Sequence, residues 1–256
     1  MVLNQIVATT RRSLIERKQR TPQVLLECSV GRGDAWRNFP AALQGGRVKL
    51  IAEVKRASPS RGWLCPGLEV GTLVHDYAQG GAAAISVLTE PHFFKGDFAD
   101  LAAARQAVDL PLLCKDFILD PYQVYEARTY GADAVLLITA ILSSPELVTL
   151  IEVAHHLGMS ALVEVHSEAE IEKAMAAKAK ILGINNRNLV DFSVDINTTF
   201  KLRPLIPPGI IIVSESGIKS LADILALEAA GVNAVLVGET LVTSANPQAK
   251  LRELGG

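Results

Sequence analysis

Glu53 and Lys55 stand two residues apart in the run Leu50 to Lys55, "LIAEVK", which is otherwise apolar. Side chains at i and i+2 of a strand share a face, so an acid and a base are pressed together on one side of a segment that looks like core. Burying a charge without a partner is costly. The pair is therefore either a structural ion pair or two catalytic groups at a strand's end, and its surroundings must decide. The pattern of a polar residue closing an apolar run recurs at Thr89 and Glu90, at Lys115, at Glu164, at Asn185 and Arg187, and at Glu215, Ser216 and Gly217. Two lysines and several glutamates about one centre suit proton transfer.

Two further stretches, "SESGI" and "VGETL", each set a glycine between a strand and a helix start. Glycine lets backbone approach a ligand, and helix-start amides favour an anion. Gly217, Gly238 and Glu239 are therefore read as a phosphate site acting through backbone N–H groups, with the Glu239 carboxylate turned away. No His or Cys group has metal-ligand spacing, and lysines on the same rim compete with a cation, so no metal is expected. His155 and His156 read as surface. His75, His92 and His166 show no evident partner and read as structural or exposed.

The elements that must position these residues are legible as alternating patterns. Apolar runs at 48–55, 83–89, 111–117, 134–139, 160–165, 181–185, 210–216 and 234–238 predict eight strands. Amphipathic segments at 68–79, 97–107, 121–130, 144–157, 167–178, 195–203, 219–230 and from 247 predict the helices between them. "GGAAAISVL", "GADAVLLI" and "GVNAVLVG" form a weak repeat of glycine, small residue and strand. Strands apolar throughout are those buried on both faces. Eight parallel βα units close most simply into a (β/α)8 barrel, whose chemistry sits at the C-terminal strand ends and whose phosphate sites follow strands seven and eight. An open doubly wound sheet is the alternative, but the first strand is followed by no glycine fingerprint.

The 256-residue length suits one such barrel, and 49% hydrophobic with 20% charged residues supports a large core. A net charge of −2 provides no whole-molecule field for nucleic acid or acidic membranes. Three cysteines without CxxC spacing fit a reducing compartment, with Cys114 a small buried hydrophobe. No apolar run is long enough to span a membrane, and the basic N-terminus lacks a secretory core, so a cytoplasmic protein is expected. "LNQIVATTRRSLIERKQR" predicts an amphipathic helix, which Pro22, Gly31, Gly33 and Pro40 then interrupt, and "AWRNFPAAL" predicts a short helix or turn. Residues 1–46 are thus an N-terminal helical extension of about 45 residues, and 47–256 the barrel, in a single domain.

The motifs "LIAEVKRASPSRG", "LLCKDFILDPYQVYEAR", "LVEVH", "GINNRNL", "VSESGI" and "VLVGETL" resemble, in order and spacing, the indole-3-glycerol-phosphate synthase family. The resemblance runs from about residue 1 to 250. It implies a TIM barrel whose extension covers the mouth. It also implies cofactor-free ring closure, decarboxylation and dehydration of 1-(2-carboxyphenylamino)-1-deoxyribulose 5-phosphate to indole-3-glycerol phosphate in tryptophan biosynthesis. Residue by residue, Lys115 matches the general acid and Glu164 an acid/base group of later steps. Glu53 and Lys55 match the pair that orients Lys115 and assists dehydration. Asn185 and Arg187 match polar ligands of the substrate, with Arg187 near its carboxylate. Ser58 and Pro59 match a mobile first loop, and Phe94, Phe117, Leu137 and Leu189 the apolar walls. Glu215, Ser216, Gly217, Gly238 and Glu239 match the phosphate end, where the family often has Ser in place of Glu239. The implied partner is a small phosphorylated molecule, with no nucleic acid or membrane, and nothing requires more than a monomer. Rival readings are another phosphate-handling barrel enzyme, such as a sugar-phosphate isomerase or an imine-forming aldolase, and a module that only binds a phosphorylated ligand such as FMN.

Overall fold

A computed structural model describes residues 2–30 and 36–255. Gly31 and Gly33, expected to break the first helical pattern, lie outside the described residues. Eight parallel strands close into a barrel: β1 (Lys49–Val54), β2 (Ala84–Leu88), β3 (Leu112–Lys115), β4 (Ala134–Ile138), β5 (Ser160–Val165), β6 (Ile181–Asn185), β7 (Ile211–Glu215) and β8 (Ala234–Val237). Each falls within an apolar run read from the sequence. Followed pair by pair round the barrel, the register returns to β1 eight residues earlier. That stagger is the one a (β/α)8 barrel requires.

The chain before β1 is helical in pieces: α1 (Val2–Arg20), α2 (Gln23–Ser29) and the single turn α3 (Phe39–Ala42). The first helix, α1, covers 19 residues, and the break expected at Pro22 separates it from α2. The outer ring comprises α4 (Val70–Gln79), α5 (Phe98–Ala107), α6 (Pro121–Thr129), α7 (Ser144–His156), α8 (Glu168–Ala176), α9 (Asn197–Leu202), α10 (Leu221–Ala229), the turn α11 (Glu239–Val242) and α12 (Pro247–Glu253). The starts are chemically marked. Asp97, Asp120, Ser143, Ser167, Ser220 and Asn246 each accept a backbone N–H from the first turn of the helix they cap.

Strand alternation divides the core in two. Outward residues such as Leu50, Ala52, Cys114, Val135, Leu137 and Val163 pack against the helices. Inward residues such as Ile51, Ala84, Leu113, Leu162 and Ile181 fill the barrel, joined by Phe39 and Leu43 of the N-terminal segment. Ile6 of α1 packs into the same inner cluster. The inward row of β1 runs Ile51, Glu53, Lys55, so the barrel interior changes from hydrocarbon to charge within one strand.

Candidate active site

The charged end opens into a cavity of about 930 Å3. Every strand ends on it, β2 through Leu88, with at least one polar or glycine residue or with an apolar wall. Glu53, Lys55, Ser58, Pro59, Phe94, Lys115, Phe117, Glu164, Asn185, Arg187, Leu189, Glu215, Ser216, Gly217, Gly238 and Glu239 all line it. Leu137 does not. It belongs to the outer layer, while Leu136 and Ile138 line the cavity. The alternation of β4 puts its odd and even residues on opposite faces, so the expected wall shifts by one position.

Thr89 and Glu90 are the other correction. Thr89 Oγ1 donates to Asp116 Oδ2 at 2.7 Å, and the Glu90 carboxylate accepts the N–H groups of His92, Phe93 and Phe94 at 2.9, 2.6 and 3.0 Å. These residues border a separate cavity of about 330 Å3 beneath α1. Glu90 instead folds the loop that carries Phe94, whose ring centroid sits 6.0 Å from that of Phe117. The two rings form one apolar wall.

Charge is concentrated on the inner rim. Lys55 Nζ lies 2.5 Å from Glu53 Oε2, and Lys115 Nζ lies 3.9 Å from Glu53 Oε1 and 3.6 Å from Glu215 Oε2. Tyr77, fully buried on α4, donates its hydroxyl to the Glu53 carbonyl at 3.2 Å and fixes that strand end from outside. Burial alone would push Glu53 upward, but Lys55, Lys115 and Arg187 overcome it and hold the carboxyl below its ordinary value. Burial alone would lower Lys115, yet Glu215, Glu53 and Glu164 together raise it. Glu215 itself is pushed up to about 7, first by burial and then by Glu164 and Glu53, against the pull of Lys115. Neither Glu215 oxygen has a hydrogen-bond partner among the described residues, and the buried Ser58 Oγ likewise has none. Such groups are rare inside native proteins, and each calls for an explanation.

Two glycines make room for these carboxylates. A Cβ on Gly238 would fall 2.1 Å from Glu53 Oε2, and one on Gly183 would fall 2.2 Å from Glu215 Oε1. Gly238 thus answers to Glu53 as well as to any anion at the start of α11. Ser216 and Gly217 both have left-handed backbones, with φ of 67° and 83°. Asn185 Oδ1 accepts from Ser216 Oγ at 2.9 Å and from Arg187 N at 3.0 Å, tying β6 to the loop after β7. Arg187 Nη1 donates to the Phe192 carbonyl at 3.2 Å, which bends its own loop over the cavity.

Several cavity residues escaped the sequence. Leu3 and Ile6 reach it from α1, and Arg61 reaches it from a short hairpin of Ala57–Ser58 with Gly62–Trp63 after β1. Arg61 Nη2 meets Glu239 Oε1 at 2.6 Å, so the Glu239 carboxylate is occupied by a cation. His166 is a third. Read as partnerless, it lies 3.3 Å from Glu164 and 3.3 Å from Glu170. Only the spacing of His166 and Glu170, four residues apart across a strand end and a helix start, could have hinted at it. His75, His92, His155 and His156 are exposed.

Comparison with known proteins points to one family. The family model described as "Indole-3-glycerol phosphate synthase" matches residues 3–254. An indole-3-glycerol phosphate synthase of Dehalococcoides mccartyi is 50% identical over 99% of this chain and 100% of its own length. Proteins of the same name from Acidithiobacillus ferrooxidans and Streptomyces griseus are 46% and 47% identical, each over 99% of this chain and 98% and 94% of theirs. Among solved structures, 3-hexulose-6-phosphate synthase from Salmonella typhimurium aligns with a TM-score of 0.65 at 15% identity, covering 81% of this chain and 96% of that one. Thiamine phosphate pyrophosphorylase from Pyrococcus furiosus aligns at 0.62 and 20% identity, over 81% of this chain and 93% of that one. At that identity the structural likeness speaks for the barrel alone. The sequence matches run from end to end, and on them the chain belongs to the indole-3-glycerol phosphate synthase family.

Proposed function

We propose that this cavity closes the indole ring of 1-(2-carboxyphenylamino)-1-deoxyribulose 5-phosphate, with Lys115 as the acid that meets the ketone oxygen. The observation that carries the reading is one constellation: Lys55, Lys115, Glu53, Glu164 and Glu215 on a single cavity, with Lys115 between two carboxylates. The aniline nitrogen pushes an electron pair into the ring carbon that bears the carboxylate. That carbon attacks the ketone carbon, and the C=O pair moves onto oxygen. Negative charge appears where a buried ammonium stands ready, which is where fixed electrostatics gains most. The Lys115 proton completes the hydroxyl. The C–CO₂⁻ bond then breaks, and its electrons neutralise the iminium and restore the ring. Loss of water needs an acid at the hydroxyl and a base at the carbon-bound proton. Lys55, Lys115 and Glu164 supply both kinds, and the division of labour among them stays open.

The remaining residues hold the ends of the substrate. The Arg187 fork suits the anthranilate carboxylate. Phe94, Phe117 and Leu189 flank the aromatic ring, with Leu136 and Ile138 taking the place of Leu137. The turn at Ser216-Gly217 and the first amides of α11 after Gly238 receive the phosphate, since four N–H groups at a helix start lack intrahelical partners. Arg61 offsets the Glu239 charge there, which makes a glutamate tolerable beside a phosphate. Binding both ends sets the two carbons at reacting distance.

Residues 1–46 act in this reading as an extension of the single barrel domain, which Leu3 and Ile6 on the cavity wall support. One chain supplies every residue named, so a monomer suffices. Cys28, Cys65 and Cys114 are free thiols, in keeping with the cytoplasm. The test is Lys115→Ala assayed by indole fluorescence. The expected result is a fall in kcat of about 10³-fold or more with the melting temperature preserved. A variant turning over at nearly the full rate would remove Lys115 from the reaction.

A further inference from the structure

Glu164 projects from β5 into the cavity, and among the described residues His166 is the side chain that forms an ion pair with it. His166 Nε2 stands 3.3 Å from Glu164 Oε1, and this ring nitrogen, though buried, makes no aligned hydrogen bond. On the other side, His166 Nδ1 stands 3.3 Å from Glu170 Oε2. Glu170 is firmly held. Its Oε2 accepts the His166 backbone N–H at 2.7 Å and lies 2.9 Å from Thr139 Oγ1, and its own N–H donates to the Ser167 cap at 3.3 Å. The imidazole therefore lies between a helix-anchored carboxylate and the one that faces the substrate. A neutral imidazole has one N–H, whereas the imidazolium has two and serves both carboxylates at once.

We propose that His166 is a positioning residue for Glu164: as the imidazolium it ties the Glu164 carboxylate to Glu170 and keeps it aimed into the cavity. The inference rests on the acid/base role given to Glu164 above. The charges round the ring favour the protonated form. Glu164 faces it from its own strand, Glu170 from α8 and Glu215 from β7, two strands along the barrel wall. Lys173 of α8 is turned to the Thr139 and Leu142 carbonyls, and Lys115 lies within the field of Glu164. Burial alone would lower the His166 pKa, but the Glu170 hydrogen bond and these carboxylates raise it. For Glu170, burial alone would raise the carboxyl, yet its contacts to His166 and Thr139 hold it below the ordinary value.

The experiment is a double-mutant cycle on the full chain, with His166→Ala and Glu164→Gln singly and combined, and kcat and KM followed across pH. His166→Ala is expected to lower kcat roughly tenfold and to leave KM within about twofold. It should also change the alkaline limb of the kcat profile, because above its own pKa the ring gives up one of its two donors. In the Glu164→Gln background the same change should cost nothing further, the mark of a residue acting through another. The His166 ring, followed by NMR in the wild type and in Glu164→Gln, should titrate at lower pH in the variant. If His166→Ala folds poorly, His166→Gln and the NMR titration carry the test. An unchanged kcat and pH profile, an equal loss in both backgrounds, or an unmoved titration would overturn the proposal while leaving Glu164 in place. Full turnover by Glu164→Gln alone would instead remove the Glu164 role, and this inference with it.

Discussion

At the N-terminal end of the barrel Asp133 is 1% exposed, and at the C-terminal end Glu215 is 1% exposed, yet the two carboxylates live differently. Asp133 accepts Arg37 N at 2.8 Å on one oxygen, and Arg105 Nη1 and Leu112 N, both at 2.9 Å, on the other. Arg105 in turn donates to the Val108 and Leu110 carbonyls. Glu215 has Lys115 at 3.6 Å and, among the described residues, no hydrogen bond on either oxygen. A buried ion is tolerable when its lone pairs are used. The lower cluster uses them within the fold and clamps α5, β3 and β4 together. The upper cluster leaves them unused among the described residues, at a standing cost in stability. The same chemistry thus builds scaffold at one end and reactivity at the other.

The largest effect that separates the two ends comes from Asp133→Ala. Breaking a saturated buried pair costs about 3–5 kcal/mol. Urea unfolding should show that loss, while kcat of the folded enzyme, read by indole fluorescence, stays near the wild-type value. A variant that lost turnover without losing stability would erase the contrast.

Glu215→Gln should do the reverse. The Glu215 carboxyl is raised from 4.5 to about 7, so the native state holds its proton more tightly than the unfolded chain does. Its contribution is present below the unfolded value and is lost as pH climbs through the folded one. An amide, neutral throughout, escapes that loss. Relative to wild type it should gain stability between about pH 5 and about pH 8, on the order of 1–2 kcal/mol, because Lys115 loses a counter-ion and offsets part of the gain. Its kcat should fall about tenfold, since Lys115 then keeps one carboxylate fewer. Urea unfolding at both pH values checks the sign. A loss of stability at the higher pH would show that Glu215 is paired as well as Asp133.

The smallest effect belongs to the outer rim. Arg61 and Glu239 are 64% and 32% exposed, and such pairs contribute about 0–1 kcal/mol. Arg61→Ala should therefore leave the urea midpoint almost unmoved. Its consequence should be a rise in KM for the phosphorylated substrate of roughly two- to fivefold, read from initial rates, as the Glu239 charge is exposed to the phosphate.

Much of this contrast was written along the chain. Eight apolar runs, each followed by an amphipathic segment, predicted every barrel strand, because strands buried on both faces need hydrocarbon on both. Glu53, Lys55, Lys115, Glu164 and Glu215 stood out as charges where such runs end. The errors arose where the local pattern carries no direction. "AVLLI" is apolar on both faces, so nothing in it tells Leu136 and Ile138 from Leu137. Thr89 and Glu90 have the composition of a site, yet serve a neighbouring loop and Asp116. His166 gains its meaning from Glu164 on one side and Glu170 on the other. Leu3 and Ile6 were legible as the apolar face of a helix, but not as the wall of a distant cavity.

By itself the amino-acid order determined the elements, their parallel winding and the residues able to move protons, because periodicity and residue type are local properties of the chain. Only the closed barrel decided which of two faces each side chain joins. It also decided which carboxylate is saturated by its neighbours and which is left waiting. Those outcomes depend on the register and burial that groups far apart in sequence impose on one another.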